Sequence, residues 1–326
     1  MTQLLDLPFE ILQLILSYSQ VRNDTNAVVQ TCRYLYHTFN DYLYRYDLDH
    51  CNRSALFWAA KNDVPATAAH SLRAGPYAEV RNMSDHTPFT IAASRGCLGI
   101  IQQLLVFVDN GLDIEIRGEN GRTALAHAAC YGQTEAVKLL LDRGAKFAAG
   151  NLDQKGPLIL ASLNGHHETV KLLLDYGAVL EETDQTGLTA LGWAATFGKL
   201  EVINILLERG AELESRTTRD STPLMLAVRH GNEAAVKRLL EAGADPNASS
   251  VNGWTVLHHS LNYPKAAVVK LLLDAGSDPR AVITGDTLHN GRTPAELVGK
   301  VSSYRAENEA VRSLLTAAES RDVTQG

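Results

Sequence analysis

A short phrase recurs along the chain at a nearly fixed spacing, and this repetition constrains the fold more than any other feature. Its clearest forms are Thr123-Ala-Leu-Ala-His-Ala-Ala and Thr189-Ala-Leu-Gly-Trp-Ala-Ala. Clear and weaker copies begin at Ser54, Thr87, Thr123, Gly156, Thr189, Thr222, Thr255 and Thr293, with spacings of 33, 36, 33, 33, 33, 33 and 38 residues. A period of this length is typical of proteins built from stacked structural units. Each copy is named below by its first residue.

Each regular copy carries the signals for two short helices. Threonine caps the first helix, and a following proline fits the first turn because that N–H group would have no partner. A run such as Val137-Lys-Leu-Leu-Leu-Asp predicts the second helix, and Gly132 and Gly144 follow the two helices of that copy as left-handed caps. Because one pair cannot bury its own apolar face, the copies are predicted to stack into an all-α solenoid. We expect about seven helix pairs and a degraded C-terminal cap.

The Thr-Pro-Leu starts, the closing glycines and the period near 33 resemble the ankyrin repeat, over residues 51–320. The resemblance implies a protein that binds other proteins through its turn tips and the exposed ends of its first helices. Aromatic residues are only 6% of the chain, yet they recur eight residues after the copy starts. The predicted partner-binding residues of this concave face are Tyr131, Phe197, His230 and Tyr263, with Trp254 at the flank of a turn tip. The alternative is that these side chains only cover neighbouring helices.

The first 50 residues do not follow the period. The segment Leu7-Pro-Phe-Glu-Ile-Leu predicts a helix with an apolar face, and about twenty residues later the chain reads Val29-Gln-Thr-Cys-Arg-Tyr-Leu-Tyr. The two segments resemble the F-box, and a layout of F-box and ankyrin repeats is commonest among fungal proteins. The resemblance implies that Leu7, Pro8, Ile11 and Leu14 contact a Skp-type adaptor, and through it the cullin of a cullin–RING (SCF-type) ubiquitin ligase.

Two observations leave this interpretation open. The usual tryptophan of the second F-box segment is Leu35 here. Apolar helices are also what any stack of repeats needs to cover its end, so the segment could be a helical cap alone. The sequence therefore divides into an F-box-like segment at 1–50, a repeat array at 51–320 and a tail at 321–326.

Composition excludes several classes of function. The net charge of −7 lacks the basic footprint of a nucleic-acid-binding protein. The four cysteines, at positions 32, 51, 97 and 130, form no CxxC pair and predict neither a disulfide scaffold nor a zinc module. No stretch predicts an export signal or a membrane helix. We therefore expect no cofactor, a location in the cytoplasm or nucleus, and a monomer outside any complex.

Catalytic motifs are not found. The sequence has no Gly-x-Ser-x-Gly elbow, phosphate-binding loop or dinucleotide fingerprint. His127 and His259 occupy the same position of the phrase as Trp58 and Trp193, and we predict that all four pack within the helix stack. The sequence thus favours a non-catalytic adaptor that holds an unidentified substrate protein. The alternatives are a scaffold or transcriptional co-regulator without a ubiquitin role and, third, an enzyme using the concave pocket.

Overall fold

The computed structural model describes residues 54–73, 80–82, 84–108, 113–147, 153–286, 288–300 and 305–321. The first helices of the eight copies are α1 (Ser54–Asn62), α3 (Pro88–Arg95), α5 (Ala124–Cys130), α7 (Pro157–Asn164), α9 (Ala190–Thr196), α11 (Pro223–Arg229), α13 (Val256–His259) and α15 (Pro294–Leu297). The second helices are α2 (Pro65–Arg73), α4 (Leu98–Val108), α6 (Thr134–Asp142), α8 (His167–Asp175), α10 (Leu200–Glu208), α12 (Glu233–Glu241), α14 (Ala266–Asp274) and α16 (Arg305–Arg321).

The predicted all-α architecture of helix pairs is confirmed. Within the described residues the only β pairing is one bridge between Ser249 and Thr255. The described residues form two compact units, one with residues up to 128 together with 135–146, the other with 129–134 and the chain from 147 onwards. The predicted F-box-like segment, including Leu7, Pro8, Ile11 and Leu14, lies outside the described residues.

Both deviations from the 33-residue spacing have a local cause. In the Thr87 copy the second helix, α4, has 11 residues, whereas α6, α8 and α10 have nine, so Phe107 and Val108 account for two of the three additional residues. In the Thr255 copy the additional residues fall between α14 and α15, where the described residues from 281 to 290 form no helix. The repeat therefore absorbs length changes at its second helix and in its connecting loop.

Side-chain caps start the first helices, as the threonine phrase predicts. Thr189 accepts a hydrogen bond from the backbone N–H of Gly192, and Thr222 accepts one from that of Met225. Each bond satisfies one of the N–H groups that a helix start leaves unpaired. At the other end of α3, Gly96 has a φ of 71° and reverses the chain toward α4. Capping and reversal together make each copy a self-contained hairpin of helices.

The core consists of the small residues of the first helices and the aliphatic residues of the second. In the Thr189 copy, Ala194 and Ala195 are buried on α9 and face the apolar interior with Ile203 and Leu206 of α10. Alanine allows helices to approach closely, and the aliphatic run supplies apolar area at roughly 25 cal/mol per Å² buried. Equivalent residues of the other copies are buried in the same way, including Val137, Leu140, Val170, Leu173, Val236, Leu239, Val269 and Leu272.

Polar side chains tie neighbouring copies together where a second helix begins. In the second unit the Nε2 atom of His166 lies 3.0 Å from the carbonyl oxygen of Cys130, one copy earlier. Asn232 donates to the carbonyl oxygen of Thr196 at 2.8 Å, and Lys265 donates to that of Gly231 at 2.9 Å. These bonds satisfy carbonyl groups that a helix end leaves without an intrahelical partner.

A second set of bonds links successive turns. In each, a side-chain oxygen accepts from a backbone N–H group 31 residues later, at 2.8 or 2.9 Å. The acceptor and donor pairs are Glu115 with Lys146, Glu181 with Glu212, Glu214 with Asp245, and Asn247 with Asp278. We call this set the turn ladder. It fixes how far one turn lies from the next.

Candidate protein-binding surface

The side chains predicted to bind a partner lie at the ends of the first helices, in the second unit. The exposed fractions of Tyr131, Phe197 and Tyr263 are 58%, 51% and 47%, and His230 is also exposed. Phe197 and His230 are the C-cap residues directly after α9 and α11, and each is followed by a glycine with positive φ. The chain therefore turns away immediately beyond them and leaves these side chains uncovered. Their role in binding stays a prediction.

Phe197 is held in place by its neighbour on the same helix. Its ring stacks on that of Trp193 with a centroid distance of 5.7 Å and an interplanar angle of 8°. The indole N–H of Trp193 donates to Asp184 at 2.9 Å, and the ammonium group of Lys155 lies 4.9 Å from the centre of the indole ring. A stacked pair fixed by a hydrogen bond and a cation–π contact loses little freedom on binding.

Trp254 is half-buried and fixed in the turn that precedes α13. Its indole N–H donates to Asp286 at 3.0 Å. The turn lies against the following loop, since a Cβ atom at Gly253 would lie 2.6 Å from the backbone nitrogen of Thr284. Gly253 also has a φ of 72°, so glycine is required here by both conformation and space. Trp254 thus joins two consecutive turns.

A groove of about 470 Å³ opens beside Trp254. Its walls come from the turns that precede α11 and α13, from the ends of those helices and from the loop that precedes α15. The side chains that matter most in it are Arg219, Arg229, Trp254, His259, Asn262 and Asp286. Sequence analysis identified only Trp254 as a binding residue of this group. We call this pocket the C-terminal groove.

A scan against family models decides what kind of repeat this is. The model for ankyrin repeats, which spans three copies, matches residues 56–151, 146–217 and 213–283, more than half of the chain. The chain belongs to the ankyrin-repeat family. Ankyrin repeats serve as scaffolds for protein–protein interaction, so this ankyrin-repeat protein carries an interaction module.

Solved ankyrin structures resemble the chain. The ankyrin repeat domain of human ASB11 matches with a TM-score of 0.59 and 23% identity, covering 69% of this chain and 96% of that domain. The ankyrin repeat domain of Bcl-3, described as a unique member of the IkappaB protein family, matches with a TM-score of 0.58 and 27% identity. That match covers 70% of this chain and 98% of the Bcl-3 domain. No curated protein sequence matches this ankyrin-repeat protein.

His127 and His259 are buried in the array, as predicted, and so is His258. In the Thr255 copy, His258 has its Nδ1 atom 2.8 Å from the hydroxyl of Thr255 and its Nε2 atom 3.2 Å from the carbonyl oxygen of Arg292. Because a carbonyl oxygen only accepts, Nε2 carries the proton and Nδ1 accepts. Burial lowers the pKa of His258 to about 4, so the ring is neutral near pH 7. It links two copies.

The thiol of Cys97 in this ankyrin-repeat protein is buried. Burial and the nearby Asp63 raise the pKa of the Cys97 thiol to about 11, which keeps it protonated near pH 7. Across the described ranges, no three His, Cys, Asp or Glu residues are grouped so that they could hold a metal ion. None of the helices described is both long and apolar enough to cross a membrane.

Proposed function

We propose that the chain is a non-catalytic adaptor that binds a substrate protein through the exposed first-helix ends of its ankyrin repeats. The observation that carries the proposal is the exposure of Tyr131, Phe197 and Tyr263 at one repeat position. Aromatic side chains dominate the energetics of protein interfaces, and here they recur at the same position of three copies. The stack of Phe197 on Trp193 adds support because it holds one of these rings ready for contact.

The same proposal assigns a ligase role to the first 50 residues. On the basis of their F-box-like sequence, Leu7, Pro8, Ile11 and Leu14 bind a Skp-type adaptor and its cullin. The chain is then the substrate-recognition subunit of a cullin–RING ubiquitin ligase, in the cytoplasm or nucleus and monomeric outside the complex. Its contribution to the reaction is proximity, with the array holding the substrate near the transferring enzyme. The alternative is an ankyrin scaffold or transcriptional co-regulator without a ubiquitin role.

Affinity capture with three full-length variants tests both halves of the proposal. The first variant combines Leu7→Ala with Pro8→Ala and is expected to lose the Skp-type adaptor and cullin while it retains other partners. The second combines Tyr131→Ala, Phe197→Ala and Tyr263→Ala and is expected to retain the adaptor and lose the substrate. Truncation of each ring that enters a partner pocket is expected to cost more than about 1 kcal/mol of binding free energy.

The matched control removes exposed apolar side chains from a different part of a copy. Tyr176 and Val179 are 37% and 64% exposed and follow a second helix, α8, instead of ending a first helix. The double variant Tyr176→Ala and Val179→Ala is expected to retain all partners. If the wild-type chain captures no Skp-type adaptor, the ligase role is wrong and the scaffold remains. If the aromatic variant captures the same partners as the wild type, the binding surface is elsewhere.

A further inference from the structure

Two arginine side chains of the C-terminal groove make no ion pair with any residue in the described part of the chain. Arg219 is exposed on the turn before α11, and Arg229 is half-buried at the end of α11. Among the residues that the structure describes, neither guanidinium group makes an ion pair or a side-chain hydrogen bond. Arginine in this state presents a planar set of N–H donors that match a carboxylate in two-point geometry.

The acidic residues nearby are already engaged. Asp220, next to Arg219 in sequence, pairs with Arg216 at 3.0 Å. Asp286 accepts hydrogen bonds from the backbone N–H of Leu288 and from the Trp254 indole, and these bonds lower its pKa to about 2. The groove is therefore lined by two guanidinium groups and one carboxylate, and the hydrogen-bond partners of that carboxylate are Leu288, Trp254 and His289 rather than either arginine.

The floor of the groove adds no negative charge. His259 lines the groove and is 8% exposed, and burial, together with the nearby Arg229, lowers its pKa to about 3. Its ring is neutral at physiological pH, and it packs 5.8 Å from the Trp254 ring. The groove thus has an aromatic and uncharged floor of Trp254 and His259, the single carboxylate of Asp286 and the two cations of Arg219 and Arg229, on a chain whose net charge is −7.

We propose that the C-terminal groove binds an acidic, extended segment of a partner protein, with Asp or Glu side chains on Arg219 and Arg229 and apolar contact on Trp254. A volume of about 470 Å³ suits a few side chains of such a segment. Nucleic acid fits less well because its affinity depends on many phosphate contacts, and an acidic chain repels it. The inference deepens the proposed function, on which it rests for the ankyrin array being a protein-binding surface.

Selection of a random-peptide library displayed on phage tests the inference with the full-length chain. Peptides retained by the wild type are expected to be enriched in Asp and Glu relative to the unselected library. Their affinity for a double variant, Arg219→Gln and Arg229→Gln, is expected to fall by about tenfold or more, because both charge-assisted contacts are lost. The melting temperature of the variant should match the wild type, since neither guanidinium makes a bond in the fold.

One control separates charge in the groove from charge in general. The double variant Lys237→Gln and Lys270→Gln removes the same charge from exposed positions on α12 and α14, and it should bind the selected peptides as the wild type does. Selected peptides without acidic enrichment, or peptides that bind the arginine variant undiminished, would overturn the inference.

The outcome is independent of the ligase role. Acidic peptides that depend on Arg219 and Arg229, in a chain that captures no Skp-type adaptor, would support the groove and refute the ligase. If the chain captures the adaptor but its selected peptides bind equally well without both arginines, the ligase role is supported and the groove inference is refuted.

Discussion

His127 and His259 occupy the same position in two copies, and His127 lies in the first compact unit whereas His259 lies in the second. Each is the fourth residue after its copy start, at Thr123 and Thr255 respectively. They are 2% and 8% exposed, and among the described residues neither ring nitrogen of either side chain has a hydrogen-bond partner. As far as the repeat is concerned, these two residues are equivalent core positions.

Their surroundings are not equivalent. His127 lies beside His86 at a centroid distance of 5.7 Å, and His86 in turn pairs with Glu119 at 3.0 Å. His259 lies beside Trp254 and forms part of a groove that also contains Arg219 and Arg229, which form no ion pair with the described residues. The repeat therefore specifies which positions are buried. The turns that precede the first helices decide whether a buried residue is enclosed or lines a binding surface.

Leucine truncation has the largest expected effect and tests whether the cores of the two copies are equivalent. Leu140 and Leu272 each lie 17 residues after their copy start and are both fully buried. Leu140→Ala and Leu272→Ala are each expected to lower the free energy of unfolding by about 2–5 kcal/mol through lost burial and a cavity. Hydrogen exchange, resolved by copy, should show the loss spreading to the neighbours within each unit. A much smaller cost at one position would show that the cores differ.

Acidification tests the histidines themselves. Burial, followed by the nearby arginine in each case, lowers the pKa of His127 to about 4 and that of His259 to about 3 from an ordinary value of 6.5. A lowered pKa means that the unfolded chain binds the proton more tightly. The stability that each neutral ring contributes is therefore complete above about pH 6.5 and is lost as the pH falls toward the folded-state pKa.

Between about pH 6.5 and pH 5 each histidine is expected to remove about 2 kcal/mol from the stability of its own unit. Denaturant unfolding of the single variants His127→Leu and His259→Leu over this range measures the effect. Each variant should show a flatter dependence on pH than the wild type. An unchanged dependence in one variant would mean that its histidine is charged in the fold, and the equivalence of the two sites would then fail.

The smallest expected effect is the most informative about the groove. Near pH 7, His127→Leu and His259→Leu should each stabilise the chain by about 1 kcal/mol, because each removes unpaired buried polar atoms. Leucine fits the position, since Leu160 and Leu226 occupy it in other copies. If His127→Leu stabilises the chain and His259→Leu does not, then the His259 ring gains a partner from the groove side. Denaturant unfolding with both variants in parallel distinguishes these cases.

Most of the fold was predictable because its signals are local and periodic. A threonine cap, an alanine pair, a Val-x-Leu-Leu-Leu run and a closing glycine each act within a few residues, so the sequence alone locates the helices of a copy. The exposure of Tyr131, Phe197 and Tyr263 followed from the same periodicity. Burial of His127 and His259 followed from their alignment with Trp58 and Trp193.

The C-terminal groove was not predictable by the same route. Arg219 lies on a turn and Arg229 on a helix. Both line the same groove as His259, which lies 30 or more residues later in the sequence. Asp286 lies in the loop that lengthens the Thr255 copy, where the period gives no guide to position. Whether an arginine is neutralised depends on which acids are already engaged, as Asp220 is with Arg216. Such partnerships follow from three-dimensional placement and leave no periodic trace.

The turn ladder has a consequence for how such a chain changes over generations. Each hydrogen bond of the turn ladder, called a rung here, joins residues 31 positions apart. The bond is therefore retained in later sequences only if the stretch between its two residues keeps its length. Duplication or loss of one complete 33-residue copy leaves every remaining rung intact. An insertion of a few residues between two rungs separates a donor from its acceptor. The gene can therefore lengthen or shorten by whole copies far more readily than by fragments of one.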